Sequence, residues 1–593
     1  MTRTDRIAFY ENRRQQFSKT LSAKKIQINR VSNFRLLAAA LILIAVYFGF
    51  SYPVTFYACI PFLFAFVLLI QYHARLFLER VHLENLVRIN ISEIEALQGN
   101  FNSFNPGKEY IDTHHPYTYD LDIFGDGSLF QSINRCNTID GKKSLATLLS
   151  FHLPNEEAIL LNQEAIKEVA SKTDFRQHLQ ASGMEIEELA NDRQELSAWL
   201  KVPSFIYGNR FNDILLWILP SLTIIALLGW ILFDLPKAIF ILLVIVQWTM
   251  VGIYNRRISV FHEFISRKKG ILQKYAHILK VIQPENFESR RFKKLKAEAT
   301  NADVKIGALA SLVGALNARL NFMTSMVMNS IVLYDMQCVY RLEKWKEQNS
   351  ENLLNWLDAI REAEVLASLS TFAFNNPAFI YPVIHPGLEL EATGLGHPLL
   401  AVEECVTNNI SMGQSKSVLI VTGANMAGKS TFLRTMGVNL VLAQSGSPVF
   451  ATAYKFPLIP IRSGMRTADS LKDHESYFYA ELHRLQGIMN ELRDGKPLFI
   501  LLDEILKGTN SGDKQRGSIA LVRQLLMNPC LAMVATHDLA LGDLEKEYPE
   551  RVRNFCFEAN IENDQLSFDY ILKPGLAQTM NATFLMKKMG IIP

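Results

Sequence analysis

Residues Gly423 to Thr431 read Gly-Ala-Asn-Met-Ala-Gly-Lys-Ser-Thr. Their types and spacing suit a loop that cradles phosphate. Backbone N–H groups of such a loop, with the N-terminus of the helix behind it, make a concave anion site. Lys429 would reach the β- and γ-phosphates of a nucleotide, and the Ser430 hydroxyl would hold Mg²⁺. The pattern alone recurs by chance in long chains. What separates it from an ordinary glycine turn is its setting. An apolar run, Val418 to Val421, reads as a buried strand before it, and Phe432-Leu433-Arg434 reads as a helix start behind it.

Two further apolar runs end in groups that fit the same chemistry. Pro497 to Glu504 reads as a strand closing on two carboxylates. Asp503 would sit at the carboxyl end of a parallel strand, where open α/β sheets bind ligands. It suits the magnesium shell, and Glu504 suits orienting or deprotonating the attacking water. Leu531 to Thr536 reads as a third strand and ends at His537. Alone, a histidine there is more often a helix cap or a core residue. After two nucleotide motifs in order, it reads as a contact to the γ-phosphate.

The elements that must carry these residues lie in a chain of 593 residues, enough for several domains. Its apolar fraction is 49% and its mean hydropathy +0.09. The surplus sits in two patches. Residues 36–50 and 54–70 are almost purely apolar, split by Ser51-Tyr52-Pro53. Residues 214–233 and 238–253 form a second pair, split by Asp234-Leu235-Pro236. Each run is near the length that crosses about 30 Å of hydrocarbon, the first being short enough for a re-entrant path. Buried core helices rarely lack charge over so long a run, so two membrane hairpins are expected. Basic residues cluster before Phe34 and after Ile253, while the two tight turns carry almost none. The positive-inside rule then places both termini and the nucleotide motifs in the cytoplasm, in a multi-pass membrane protein. The long N-terminal basic region does not fit a cleavable signal. Six scattered cysteines form no CxxC pair and suggest a reducing compartment without a zinc site. With a net charge of +3, the chain is no obvious polyanion binder.

Residues 72–100 read as a helix with Leu76, Leu83, Val87 and Ile94 on one face. The loop at 101–119 is rich in Asn, Pro and aromatics. His114, His115, Asp120 and Asp122 lie close in sequence, but metal binding there is not expected. From Arg256 to Lys296 the chain carries twelve Lys/Arg against three Glu. That stretch admits two readings, a DNA-facing strip or a helix lying on anionic lipid. Its position directly after an apolar pair favours lipid.

Taken together, the motifs resemble those of the MutS family of mismatch-repair ATPases. Thr422 to Thr431, with Asn425-Met426 inside the loop, resembles the family's Walker A. Asp503-Glu504-Ile505 with Lys507-Gly508-Thr509 resembles its Walker B and following loop, and Ala535-Thr536-His537 its histidine switch. Ser476-Tyr477-Phe478 with Glu481 resembles the signature segment, which implies that Ser476 reaches a nucleotide held by a second subunit. Gly396-His397-Pro398 and Asn408-Asn409 resemble the stretch leading into the ATPase domain, and Leu572 to Gly575 and Met589 to Pro593 its C-terminal pattern. Gly127 to Arg135, Thr138 to Gly141, Gln163 to Ile166 and the helical pattern from Ala302 to Leu369 resemble the family's helical lever core.

The likeness implies that Gly423, Asn425, Met426, Gly428, Lys429, Ser430, Thr431 and Ser476 bind ATP. It also implies that Ser430 and Asp503 hold Mg²⁺ and that Glu504 and His537 serve catalysis. Ala424 and Ala427 depart from the family loop without removing a backbone ligand, and His474 stands where the family has glycine. No mismatch-reading domain is evident. Phe9-Tyr10-Glu11 mimics a wedge motif but sits on a short amphipathic segment.

The expected architecture is multi-domain, α and α/β. Its parts are a basic segment at 1–35, a hairpin at 36–71, a helical region at 72–213, a second hairpin at 214–254, a helical lever at 255–385 and a P-loop ATPase domain of ABC type at 386–593. The resemblance implies a homodimer through the ATPase domains and an ATP-driven switch acting on mismatched or branched DNA. The apolar insertion, where the family has a DNA clamp, leaves open an ATP-driven membrane signalling or assembly protein without a DNA role.

Overall fold

The computed structural model describes residues 2–466, 477–506, 510–562, 565–578 and 592. One helix runs without a break from Arg3 to Gly49. Its start is fixed by a reciprocal cap: the Asp5 amide donates to the Thr2 hydroxyl, and the Thr2 amide to the Asp5 carboxylate. The basic N-terminal segment and the first apolar run are therefore one rod. It turns at Pro53 and returns as Phe56–Leu97, packed along its length on the first helix. Lys24–Glu79 and Lys25–Glu84 ion pairs join the polar halves. A second hairpin, Arg210–Phe233 and Lys237–Ile265, breaks at Asp234, which takes a left-handed conformation, and at Pro236. All four helices are long and apolar enough to cross a membrane, and their most apolar windows are at most 28% buried. A core helix would bury more of that face.

The first hairpin is bolted to the helical core by a buried polar knot. Glu93, on the returning helix, receives both guanidinium arms of Arg135 at 2.6 and 3.1 Å and the Asn375 amide at 2.7 Å. Tyr10, from the first helix, donates to Asn375 Oδ1 at 2.8 Å. Phe9 and Tyr10 thus pack on the end of the helix Tyr334–Asn375, as an amphipathic segment should. The buried face of the returning helix runs through Leu76, Leu86, Ile89, Asn90 and Glu93; of the stripe that apolarity suggested, Leu76 is buried while Leu83, Val87 and Ile94 are half-buried. Polar partners set it. Replacing Glu93 by alanine strands the Arg135 charge in the core and is expected to cost about 3–5 kcal/mol. Lys24→Ala, at a more exposed pair, should cost under about 1 kcal/mol. Unfolding midpoints of the detergent-solubilised variants check the contrast.

The helical pattern after Ala302 is not continuous. Ala302–Asn317 is followed by a turn, a short helix Phe322–Val332 and then Tyr334–Asn375. Part of the basic stretch 256–296 is paired internally. Lys268 bridges Asp192 and Glu195, Arg291 reaches Glu362 and Asn162, and Lys274 and Lys296 donate to backbone carbonyls. Arg256, Arg257, Arg267, Lys269, Lys280 and Lys293 remain exposed.

The C-terminal part is α/β. Its strands are β1 (Val383–His385), β2 (Leu390–Leu395), β3 (Asn408–Met412), β4 (Val418–Gly423), β5 (Ala453–Pro457), β6 (Ile461–Gly464), β7 (Leu498–Asp503), β8 (Cys530–Thr536), β9 (Val552–Phe557), β10 (Ala559–Glu562), β11 (Gln565–Phe568) and β12 (Lys573–Pro574). Among the described residues the main sheet has order β12-β9-β4-β8-β7-β6, parallel except for β12. Its central strands β4, β7 and β8 are buried throughout, which explains their unbroken apolar runs. A smaller sheet, β1-β5-β2-β3, lies beside it.

Candidate nucleotide site

The register of the parallel strands gathers the motifs. Thr422 pairs with Thr536, and Asp503 with Ala535, so the ends of β4, β8 and β7 emerge at one edge. Gly423 takes φ +152°, and a Cβ there would stand 2.6 Å from the Phe557 carbonyl oxygen; only glycine lets β4 and β9 pair so closely at this point. Gly428, at φ +108°, caps the helix Lys429–Gln444, three residues earlier than its apolar pattern suggested.

Five of the expected residues meet at this edge. The Ser430 hydroxyl donates to Asp503 Oδ2 at 2.5 Å. Lys429 is buried rather than directed to the surface. Its ammonium donates to the carbonyls of Gly423 and Ala424 at 2.8 and 2.9 Å and lies 3.2 Å from His537 Nε2. The same Nε2 lies 3.0 Å from Glu504 Oε1. That nitrogen carries at most one proton, so it can accept from Lys429 or donate to Glu504 but not both. His537 therefore stands as a two-way contact between the loop and the carboxylate.

Glu504 adopts a left-handed backbone, φ +52°, and Leu506 another, φ +59°. Such conformations cost about 1 kcal/mol or more and persist only where surroundings hold them. Here the Glu504 amide donates to the Ala535 carbonyl at 2.9 Å, and the Leu506 amide to Glu481 at 2.6 Å. Ile505 and Leu506 are buried beneath. The turn aims Glu504 into a cavity of about 450 Å³ that Asn425, Met426, Gly428, Lys429, Ser430 and Thr431 also line. Ser476, and the Lys507-Gly508-Thr509 loop, lie outside the described residues.

Part of the cavity wall was not read from the motifs. Leu400, Glu404 and Cys405, from the loop before β3, line it together with Phe557 and Tyr570. Asn408 holds that wall together. Its side-chain amide donates to the Tyr570 carbonyl and accepts from the Leu572 amide, at 3.1 and 2.7 Å, as a peptide group would.

His397, in the same wall, is held neutral. Burial, and then the nearby Arg434 guanidinium, push its pKa from 6.5 down to about 4. The unfolded chain takes this proton below about pH 6.5 and the folded chain only near 4, so stability is lost as pH falls through that window. His397→Gln should flatten the fall relative to the parent, measured as unfolding midpoint against pH.

The acidic loop that suggested a metal has another use. Asp120 is buried and accepts from Ser463 Oγ, the Met465 and Arg466 amides and Arg484, all within 3.1 Å. Asp122 pairs with Arg466. Arg434, one turn along the helix behind the phosphate loop, donates to the Asp120 carbonyl. This loop from the helical core thus grips the strand β6, the helix Tyr477–Arg493 and the phosphate-loop helix together.

Residues 419–590 match the family model of MutS domain V. The DNA mismatch repair protein MutS of Thermotoga petrophila is 30% identical over 250 residues, which is 41% of this chain and 31% of that protein. MutS of Desulfatibacillum aliphaticivorans is 33% identical over 244 residues, 40% of this chain and 26% of that protein. The chain thus spans less than a third of the length of these curated relatives.

Proposed function

We propose that the protein, whose residues 419–590 match the family model of MutS domain V, is a membrane-anchored ATPase that uses ATP to switch the conformation of its helical levers. The observation that carries this is the convergence of Ser430 on Asp503, and of Lys429 and Glu504 on His537, at one sheet edge. The hydroxyl–carboxylate pair is the oxygen donor set that Mg²⁺ takes, so Ser430 and Asp503 would hold that ion, which when bound offsets phosphate charge. Amides from Gly423 to Thr431 cradle the phosphates, and Lys429 places its charge between them. Glu504 orients the attacking water and draws its proton, and His537 reports the γ-phosphate to Glu504. Ser476 completes the site of a second copy in a homodimer.

Two apolar hairpins anchor the chain, with both termini and the nucleotide site cytoplasmic. The similarity to DNA mismatch repair proteins favours action on mismatched DNA, and the family resemblance extends this to branched DNA. A second reading, an ATP-driven membrane signalling or assembly protein, is favoured by the apolar hairpin in the lever core. The full chain, purified from membranes in detergent, should hydrolyse ATP with Mg²⁺ and dimerise with ATP by light scattering. Stimulation by mismatched or branched duplex selects the first reading; an ATPase indifferent to DNA selects the second. Recovery of the chain in the soluble fraction without detergent sinks the anchoring.

A further inference from the structure

The helix Phe322–Val332 interrupts the lever where no Pro or Gly asks for a break. The chain turns by 108° to enter it. It leaves through Leu333, in a left-handed conformation, directly into Tyr334–Asn375. No Asp, Glu, Lys or Arg occurs from Leu320 to Tyr334. The short helix packs on both members of the second hairpin. Its other side is bare: Phe322 is 76% exposed and Met323 69%, with Met326 and Val327 about half exposed.

Its backbone breaks are met by one buried side chain of the hairpin. Gln247 accepts from the Leu333 amide at 3.2 Å, and its own amide donates to the Ile331 carbonyl at 3.3 Å and to Thr223 at 2.6 Å. Trp248 beside it donates to Ser330. Asn329 accepts from the Asp335 amide. Irregular backbone survives at membrane depth only where protein satisfies it in this way.

Depth follows from the helix Lys237–Ile265. Gln247 lies ten residues, about 15 Å, from its Lys237 end, near the middle of a hydrocarbon layer of about 30 Å. Arg319, just before the excursion, reaches Asn255 eight residues nearer the core. It also pairs with Asp335, just after the excursion, at 3.0 Å. The chain enters and leaves beside the same ion pair. An eleven-residue helix is about 16 Å long and cannot cross.

We propose that residues 320–333 are a re-entrant segment lying in the acyl chains of one leaflet, held there by Gln247. This rests on the membrane reading of the hairpins. The occupant of the bare face is lipid because that face continues an uncharged hairpin surface on which Ile225, Leu242 and Ile245 are exposed. The long helix Tyr334–Asn375 then joins the embedded segment to the strands that carry the nucleotide site.

The test places a photoreactive benzoylphenylalanine at Met326, at Ile225 of the hairpin or at Met527 of the α/β part. The full chain is reconstituted in phosphatidylcholine–phosphatidylglycerol vesicles, irradiated and examined for lipid adducts by mass spectrometry. Adducts at 225 and 326 and none at 527 are expected. Adducts at 225 with none at 326, or only protein adducts at 326, overturn the re-entrant segment and leave the hairpins standing. No lipid adduct at 225 removes the membrane reading and this inference with it. In Gln247→Leu the adduct at 326 should fall severalfold while that at 225 stays; an unchanged adduct at 326 overturns the role of Gln247.

Discussion

Replacing Lys429 by methionine is expected to lower ATPase activity at least about a hundredfold and to weaken ATP binding, with the fold intact. Methionine is the right probe because the lysine stem is buried. Alanine would open a hole beneath the phosphate loop and confuse packing with chemistry. Methionine keeps the volume and removes only the ammonium. What is lost is a charge-assisted hydrogen bond to phosphate, about 1.5–3 kcal/mol, on each of the oxygens it serves. Two such bonds convert to a hundredfold or more. The carbonyls of Gly423 and Ala424 lose a donor as well; Ala424 lines the cavity, where water can replace it, whereas Gly423 is buried, so the unfolding curve is read beside the activity. The check is ATP hydrolysis and nucleotide titration beside an unfolding curve. Activity within about tenfold of the parent, on an unchanged melting curve, would remove Lys429 from the site.

What the sequence shows of this site depends on whether the chemistry is contiguous. Gly423 to Thr431 carries its ligands on successive residues, and Asp503, Glu504 and His537 each close an apolar strand, so all were legible. The wall of Leu400, Cys405, Phe557 and Tyr570 was not, because three separate segments meet only once Asn408 has clamped residues 570–572. What Asp120 and Asp122 hold could not be read, since their partners Ser463, Arg466 and Arg484 lie more than 340 residues away. The break at 321–333 hid for the same reason. An apolar helical period runs straight through it, and the group that satisfies the break, Gln247, lies 86 residues earlier.

The buried knot at Glu93 adds a physical link between ends of the molecule. Tyr10 and Glu93 come from the two helices of the first hairpin, and Asn375 ends the longest core helix. The chain from Asn375 leads within thirty residues to Leu400 and Cys405 in the nucleotide wall. On the proposed reading, closure of that wall on a nucleotide pulls on one rigid helix of 42 residues, about 63 Å long, whose far end is Leu333.

Glu504→Gln is expected to bind ATP with nearly parental affinity and to hydrolyse it about a hundred- to a thousandfold more slowly. A positioned general base contributes about 10²–10⁴ in rate, and an amide cannot take the proton. The substitution spares everything else the geometry gives to this residue. Gln has the same length, so it still reaches His537. It is as strained as Glu at φ +52°, so the turn held by Ala535 and Glu481 feels no change, whereas glycine would relax it. On the proposed reading magnesium would be held by Ser430 and Asp503, which are untouched. Single-turnover hydrolysis separates the step from binding. A loss below about tenfold, little more than 1.4 kcal/mol of barrier, would make Glu504 a structural residue of the turn and leave the base to be sought elsewhere. If His537→Ala slows the parent but adds nothing to Glu504→Gln, the two residues act as one unit, as their 3.0 Å contact implies.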